Sequence, residues 1–467
     1  MTKIQLRFLG AAGTVTGSRY SLTVGSHKIL IDCGLFQGLK ELRLRNWDEF
    51  PEDPGEFEAV VLTHAHIDHT GYLPRLVKQG YRGKILCTPA TLDLCQLLLP
   101  DSAKLQQEEA DYRNRKGLTK HNPALPLYDE RDVQLTLSKF QTVAYRKPTK
   151  ILPGIQVTFH DAGHILGSAW LEFLLTPPSG RTVRLVMSGD LGRENAPILR
   201  APEPLMECDF VVCESTYGDR THGNVSPGPR LAEIIRETAR RRGILVIPAF
   251  AVERTQELIY LLQELRSERS IGRVPVFLDS PMAAKATRLF ENYRDLYDEE
   301  AVDRAIMEGG LLRYRYLKIC ETMAESKAIA RTPPPFIVIS ASGMATGGRI
   351  LHHLRQYLPD PNNTVLLVGY QSEGTRGWRL KNGEETLRIF AEDVPVRAHV
   401  EALDGFSGHA DYEQINRWLR GPKTPPRQVF LVHGEPLSLE AQRNRISQWE
   451  GWSARVPEHL ETVELSL

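Results

Sequence analysis

The sequence predicts an α/β protein in which one domain is split by the insertion of a second. Three observations carry that expectation. Over residues 1–205, short apolar strands run into loops rich in histidine, aspartate and glycine. Over residues 206–390, helices alternate with buried-strand patterns, which argues for a parallel sheet covered by helices. After Ala391 the first texture returns, so residues 1–205 and 391–467 are expected to form one domain around the insertion.

The elements follow in order. "IQLRFLG" alternates apolar and polar residues as a strand, and "RYSLTVGSHKILIDCG" reads as a hairpin turning at Gly25-Ser26. "EAVVLT" and "GKILCT" are compact buried strands. A helix is expected between them from His69 to Gln79, with Leu73, Leu76 and Val77 on its apolar face and Gly80 as its stop. "TLDLCQLLL" opens another helix, and the charged stretch from Asp101 to Lys120 reads as a solvated face. "IQVTFHDAG", "AWLEFLLTPPSGRTVRLVMSGD" and "DFVVCEST" are strands, the second a hairpin through Pro177 to Gly180. In the insertion, "LAEIIRETARRRG" and "TQELIYLLQELRSE" are helices, while "ILVIPAF", "VPVFLDS", "PFIVISAS" and "NTVLLVGY" are strands. "VRAHVEAL", "QINRWLR" and "RQVFLVHGE" are assigned back to the first domain.

Bulk properties narrow the function less. Lys+Arg and Asp+Glu are both 58 in 467 residues, so a nucleic-acid site would have to be a local basic cleft. No apolar run approaches the roughly 20 residues of a membrane span, so no membrane partner is expected. The opening "MTKIQLRFLGAAG" reads as a strand rather than a signal segment, and no additional module is expected before it. The six cysteines lack C-x-x-C spacing and read as free, mostly buried thiols in a reducing cytoplasm. A homodimer would have to use the two domains themselves.

The chemistry gathers at "THAHIDHTG", where a strand gives way to a helix. A tight loop there can turn His64 and His66 to one side, while Asp68 and His69 open the helix and can face a second metal. Borderline metals such as Zn²⁺ favour this mixture of imidazole and carboxylate. One such segment cannot complete two metal shells, so further ligands should lie at other strand ends. His164 in "HDAGHILGS", Asp190 in "MSGDLG" and His433 in "LVHGE" occupy such places. Asp32, ending "KILIDCG", is placed to orient a ligand histidine from behind.

These residues together resemble the metallo-β-lactamase superfamily, and its β-CASP branch of nucleases in particular. Asp32, the His64–His69 cluster, His164 and Asp190 match the superfamily's metal motifs in order. Glu214 in "CESTYG", His409 in "GFSGHAD" and His433 match those of the branch. "PAFAVERTQELIYLL", "FLDSPMA", "SASGMATGGRI" and "GYQSEGTRG" look like its inserted domain. The resemblance implies an αββα sandwich with an inserted α/β domain, and a ribonuclease similar to the cleavage-and-polyadenylation endonuclease. It implies two Zn²⁺ per chain, with Mn²⁺ as a substitute. His64, His66, His164 and Asp190 would hold one ion, and Asp68, His69, Asp190 and His433 the other. Such a pair lowers the pKa of a shared water and neutralises phosphate oxygens. Asp68, His409 and Glu214 are the expected catalytic residues, with His409 protonating the leaving 3′-oxygen while Glu214 orients it. Ser407, Gly408 and Ser342 are expected phosphate or RNA contacts.

The insertion suits a polymer better than a small ester or lactam. In the branch that the sequence resembles, RNA-acting members carry histidine where DNA-repair members carry an apolar residue, so with His433 the resemblance implies RNA rather than DNA; single-stranded RNA is the expected partner. Arg236, Arg240, Arg241, Arg242, Arg254, Arg266, Arg269 and Arg273 give its early part a basic bias suited to phosphates. Tyr217, Phe250, Tyr370 and Trp378 are candidates for base stacking. A metal-free RNA-binding subunit is the competing class, but every metal motif is intact.

Overall fold

The computed structural model describes residues 4–117, 123–178, 180–222 and 227–466, so Leu118–Lys120 and Ser179 of the expected elements lie outside it. Two compact units emerge, one formed by Met1–Asn195, Arg200–Thr221 and His409–Leu467, the other by Ala196–Leu199 and His222–Gly408.

The first unit is built on two seven-stranded sheets. One runs, in spatial order, through Thr462–Glu464, Ile4–Phe8, Tyr20–Val24, His27–Ile31, Ala59–Val61, Lys84–Cys87 and Phe140–Thr142. The other runs through Ala454–Arg455, Gln428–Val432, Phe210–Glu214, Val183–Met187, Ala169–Leu175, Ile155–Asp161 and Thr149–Leu152. Alternation buries one face of each strand against the opposite sheet: Ile4, Leu6, Phe8 and Leu22 share a core with Val157, Phe159, Leu171 and Phe173. The outer face of the second sheet is covered by Ile415, Trp418, Leu439 and Ile446, from helices Tyr412–Leu419 and Pro436–Ile446. Beside the first sheet, helices Leu73–Lys78 and Pro89–Lys116 each pack against Glu130–Leu137. The layers are therefore αββα, as expected.

Trp170 shows how the outer layer is fastened. It is fully buried, stacks on His160 at 3.9 Å, and donates its indole N–H to the Glu203 carbonyl at 3.1 Å. Trp418 donates to the same carbonyl at 2.9 Å. Trp170→Ala is expected to cost about 3–5 kcal/mol, from lost apolar burial and an unfilled cavity, seen as a lower urea midpoint.

The second unit holds a six-stranded sheet in the order Leu317–Ile319, Val276–Leu278, Phe336–Ser340, Ile244–Pro248, Thr364–Val368 and His399–Leu403. All its pairings are parallel, and the strands Ile244–Pro248, Phe336–Ser340 and Thr364–Val368 are buried throughout. Their unbroken apolar runs are what a sheet covered on both faces requires.

Two expectations change. The insertion limits of 206 and 390 move to 222 and 408, because Phe210–Glu214 pairs with Val183–Met187 in the first unit. At the other end, "VRAHVEAL" supplies His399–Leu403, which pairs with Thr364–Val368 in the second unit. The helix expected from His69 to Gln79 is instead two short ones, Ile67–Thr70 and Leu73–Lys78. Tyr72 N–H leaves the helical ladder to bond the Cys33 carbonyl at 2.9 Å, and Pro74 begins the second helix in the first-turn position proline favours.

Candidate metal centre

Parallel pairing decides where the polar residues gather. His27–Ile31 runs parallel to Ala59–Val61, so Asp32 and the His64–His69 turn leave the first sheet at the same end. In the second sheet Val183–Met187, Phe210–Glu214 and Gln428–Val432 are parallel neighbours, so Asp190, Glu214 and His433 also share an end. His164 follows Ile155–Asp161 through a turn in which Gly163 has φ +61°.

The loops are pressed backbone to backbone. A Cβ on Gly34 would lie 1.5 Å from the Asp68 carbonyl oxygen, and one on Gly189 (φ +55°) 2.7 Å from Thr63 Cβ. Asp32 and His433 adopt φ of 54° and 48° without being glycine, a strain of order 1–3 kcal/mol each. Each is compensated locally. Asp32 accepts from Thr63 N and Thr63 Oγ1, both at 2.8 Å, and lies 2.8 Å from His69 Nδ1. His433 N donates to the Ala11 carbonyl at 2.8 Å.

Two donor sets result. His64 Nε2 lies 3.1 Å from His66 Nδ1, which lies 3.2 Å from His164 Nε2. Asp190 Oδ2 is 3.5 Å from both His64 Nε2 and His164 Nε2. Donors about 2.0–2.1 Å from one ion in tetrahedral array stand roughly 3.3–3.4 Å apart, so these spacings fit one ion. In the other set His69 Nε2 is 3.3 Å from His433 Nε2, and Asp68 Oδ2 is 3.5 Å from His433 Nε2. Asp190 Oδ1 stands 3.3 Å from His69 Nε2, is buried, and has no hydrogen-bond donor. A buried carboxylate oxygen left in that state among imidazoles is a group arranged for a cation. The residues present can therefore hold a metal ion at each set.

The electrostatics of the first set agree. Burial, reinforced by His69, pushes His64 well below its ordinary value, and burial brings His66 down to about 4, so both keep lone pairs at neutral pH. Burial alone would raise Asp190, but His433, His69 and His64 outweigh it and hold the carboxylate ionised. His69 goes the other way, because Asp190 and Asp32 overcome the effect of burial.

His409 stands beside both sets. Its Nδ1 is 3.1 and 3.2 Å from the Glu214 carboxylate oxygens and 3.9 Å from Asp190 Oδ2. Burial would lower its pKa, but the charge and hydrogen bond of Glu214, with Asp190 and Asp68, raise it to about 9. Glu214 is itself immobilised: fully buried, it accepts from Leu191 N at 2.7 Å and Thr216 N at 3.2 Å.

Every expected donor thus enters the cluster, with Asp32 behind it. Ser407, Gly408 and Ser342 belong to the second unit; Ser407 is buried, and Ser342 Oγ accepts from Thr346 N at 3.0 Å in its own turn. The basic bias of the insertion is partly an internal one. Arg254 is buried, pairs with Glu257 and donates to the Phe406 carbonyl at 2.7 Å. Arg236 and Arg241 donate to Ser270 O at 3.0 Å and Thr364 Oγ1 at 2.8 Å. Of the proposed stacking residues, Tyr217 is buried with its ring 6.3 Å from His409, and Phe250, Tyr370 and Trp378 are half-buried.

Three supporting residues escaped the sequence reading. Thr63 joins Asp32 to the cluster, Thr216 Oγ1 lies 3.1 Å from His433 Nδ1, and Ser18 Oγ lies 3.3 Å from His69 Nε2. Thr63 and Thr216 at least adjoin recognised residues in "LTHAH" and "CEST"; Ser18 carries no such cue.

Comparison with known proteins gives the same order of domains along the chain, with limits that differ from those of the two compact units. A β-lactamase superfamily domain model matches residues 27–246, a β-CASP domain model 255–380, and a Zn-dependent metallo-hydrolase RNA specificity domain model 393–457. Ribonuclease TTHA0252 of Thermus thermophilus is 39% identical over 433 residues, spanning 92% of this chain and 93% of its own length. Transcription termination factor FttA of Methanocaldococcus jannaschii is 31% identical over 449 residues, 92% of this chain and 67% of that protein. The crystal structure of a protein of unknown function from Enterococcus faecalis shares the fold, with TM-score 0.52 and 14% identity over 99% of this chain and all of the other. The chain belongs to the β-CASP ribonuclease family of the metallo-β-lactamase superfamily.

Proposed function

We propose that this metal-dependent hydrolase is a two-zinc ribonuclease that cleaves single-stranded RNA to 5′-phosphate and 3′-hydroxyl ends. The observation that carries the reading is Asp190, which offers Oδ2 to the His64, His66 and His164 set and Oδ1 to the His69 side. One carboxylate between two donor sets is what a pair of ions sharing a water requires. Bound there, the ions would supply a nucleophile at neutral pH and offset the charge of the phosphate oxygens. RNA is supported by the RNA specificity model, whose span contains both His409 and His433, and by the ribonuclease named above.

The chain's own part is orientation and proton transfer. Asp32 fixes the His69 ring through Nδ1 and so directs Nε2 inward. Asp68 flanks the His69 and His433 side, partly open to solvent. Glu214 occupies Nδ1 of His409, so the proton given to the leaving 3′-oxygen is the one on Nε2. Ser407, Gly408 and Ser342 are assigned to the RNA backbone.

Digestion of 5′- and 3′-labelled RNA and of matched DNA tests this. RNA fragments with 5′-phosphates are expected, lost with a chelator and restored by Zn²⁺ or Mn²⁺. Cleavage that survives the chelator, or DNA cut as fast as RNA, would overturn it. The product lengths separate internal cutting from 5′-to-3′ trimming.

A further inference from the structure

The loop after Asp32 carries side chains that the metal centre does not use. Its two ends are tied together by Asn46, which is buried, accepts from Phe36 N at 2.9 Å and donates to Phe36 O at 2.8 Å. Arg19, buried 3.9 Å from the Tyr72 ring centroid, donates to Asn46 Oδ1 at 3.2 Å and to Gly34 O at 2.8 Å. The base of the loop is also bonded to the turn bearing Asp68 and His69: Leu35 N donates to Ile67 O at 2.9 Å, and Cys33 N to His69 O at 2.7 Å. The loop is therefore a fixed projection anchored to the metal centre.

Its outward residues are unusual for a solvated turn. Leu44 and Trp47 are 53% and 50% exposed, and Lys40 and Arg43 are exposed beside them. Among the described residues Lys40, Arg43 and Arg45 have no carboxylate partner; single exposed arginines such as Arg131 and Arg273 share that state, but here three such cations fall within six residues. Glu41 stands among them and Asp48 and Glu49 follow at once, so residues 40–45 carry three cations and one carboxylate, and the positive charge ends at Arg45. His459, edge-on to Phe36 at 6.2 Å, senses the field: burial, then Arg45, Arg19 and Arg7, hold its pKa down.

Unpaired cations beside an exposed indole match the needs of a single nucleic-acid strand, with charge for phosphates and a ring face for a base. We infer that residues 36–47 form a platform for single-stranded RNA, with Lys40, Arg43 and Arg45 on phosphates and Trp47 stacked on a base. Stacking and phosphate contact grip without reading sequence. The inference rests on the ribonuclease reading given above.

Steady-state cleavage of a single-stranded RNA oligonucleotide by the full chain tests it. Trp47→Ala is expected to raise KM about fivefold or more, while Trp47→Phe, which keeps a stacking face, stays within about twofold of the parent. The double substitution Arg43→Gln with Arg45→Gln is expected to raise KM too. It should also flatten the slope of log(kcat/KM) against log[salt] by about 1.4, two phosphate contacts of about 0.7 each. kcat should change less than about twofold in all three, since none reaches the donor cluster. Unchanged KM and salt slope, with RNA cleavage by the parent intact, would overturn the platform alone. A parent that cleaves no RNA would remove the ribonuclease reading and the platform with it.

Discussion

Asp190→Ala protein, purified and dialysed against Zn²⁺, is expected to retain at most a small fraction of the metal bound by the parent. The residue is shared, so its loss strips one donor from each set and leaves three around either ion: His64, His66 and His164 on one side, Asp68, His69 and His433 on the other. It also removes the anionic charge central to the cluster, leaving like-charged ions facing one another across imidazoles. Loss even of a group that only orients a ligand costs 10–100-fold in metal affinity, so loss of a shared ligand should cost at least about 100-fold at both sites. Cleavage should fall in parallel, by about a thousandfold or more. Asp190→Asn is the control for packing, since it keeps the shape while dropping the charge, and it should lose metal as well. Elemental analysis showing two ions per chain in either variant would sink the shared-carboxylate scheme.

His409→Ala should behave in the opposite way, keeping its metal and losing turnover. Its Nδ1 is engaged by Glu214 at 3.1 Å, which fixes the ring and, in the function proposed above, leaves Nε2 to deliver a proton. Deleting a positioned general acid costs about 10²–10⁴ in rate. The same ring stands near enough to Asp190 and His433 to complete a donor group with them, so metal content is the deciding measurement. Full metal with a rate lower by two orders or more identifies the acid; loss of one ion would make His409 a ligand instead. Glu214→Gln should give a smaller loss, because the amide oxygen can still accept one of the bonds from Leu191 N and Thr216 N while the charge facing His409 is gone.

How much of this was legible in the sequence differs between strands and side chains. The strands were legible because their alternation is local: "IQLRF" and "YSLTV" declare an inner face whatever follows them. The donors were legible because His-x-His-x-Asp-His is too costly to place at a strand end for packing alone. Where the insertion begins and ends was not, since Phe210–Glu214 and His399–Leu403 are both short buried-strand patterns. Only pairing, with Val183–Met187 in one case and Thr364–Val368 in the other, assigns them to a unit. The break in the helix after Thr70 was hidden for the same reason, being set by a bond from Tyr72 N to Cys33 O in another loop. Ser18 and Asn46 are ordinary polar residues in the sequence, and only tertiary contact reveals that one adjoins His69 and the other ties off a loop.

The 3.3 Å between His69 and His433 spans 364 residues of chain. His64 and His66 can close against His164 and Asp190 before the insertion is made, but Asp68 and His69 lack His433 until the whole inserted unit has been synthesised and the strand Gln428–Val432 has paired beside Phe210–Glu214. A growing chain therefore passes through most of its translation with half a catalytic centre. The second donor set is the last part of the site to be completed, and it is completed only near the end of synthesis.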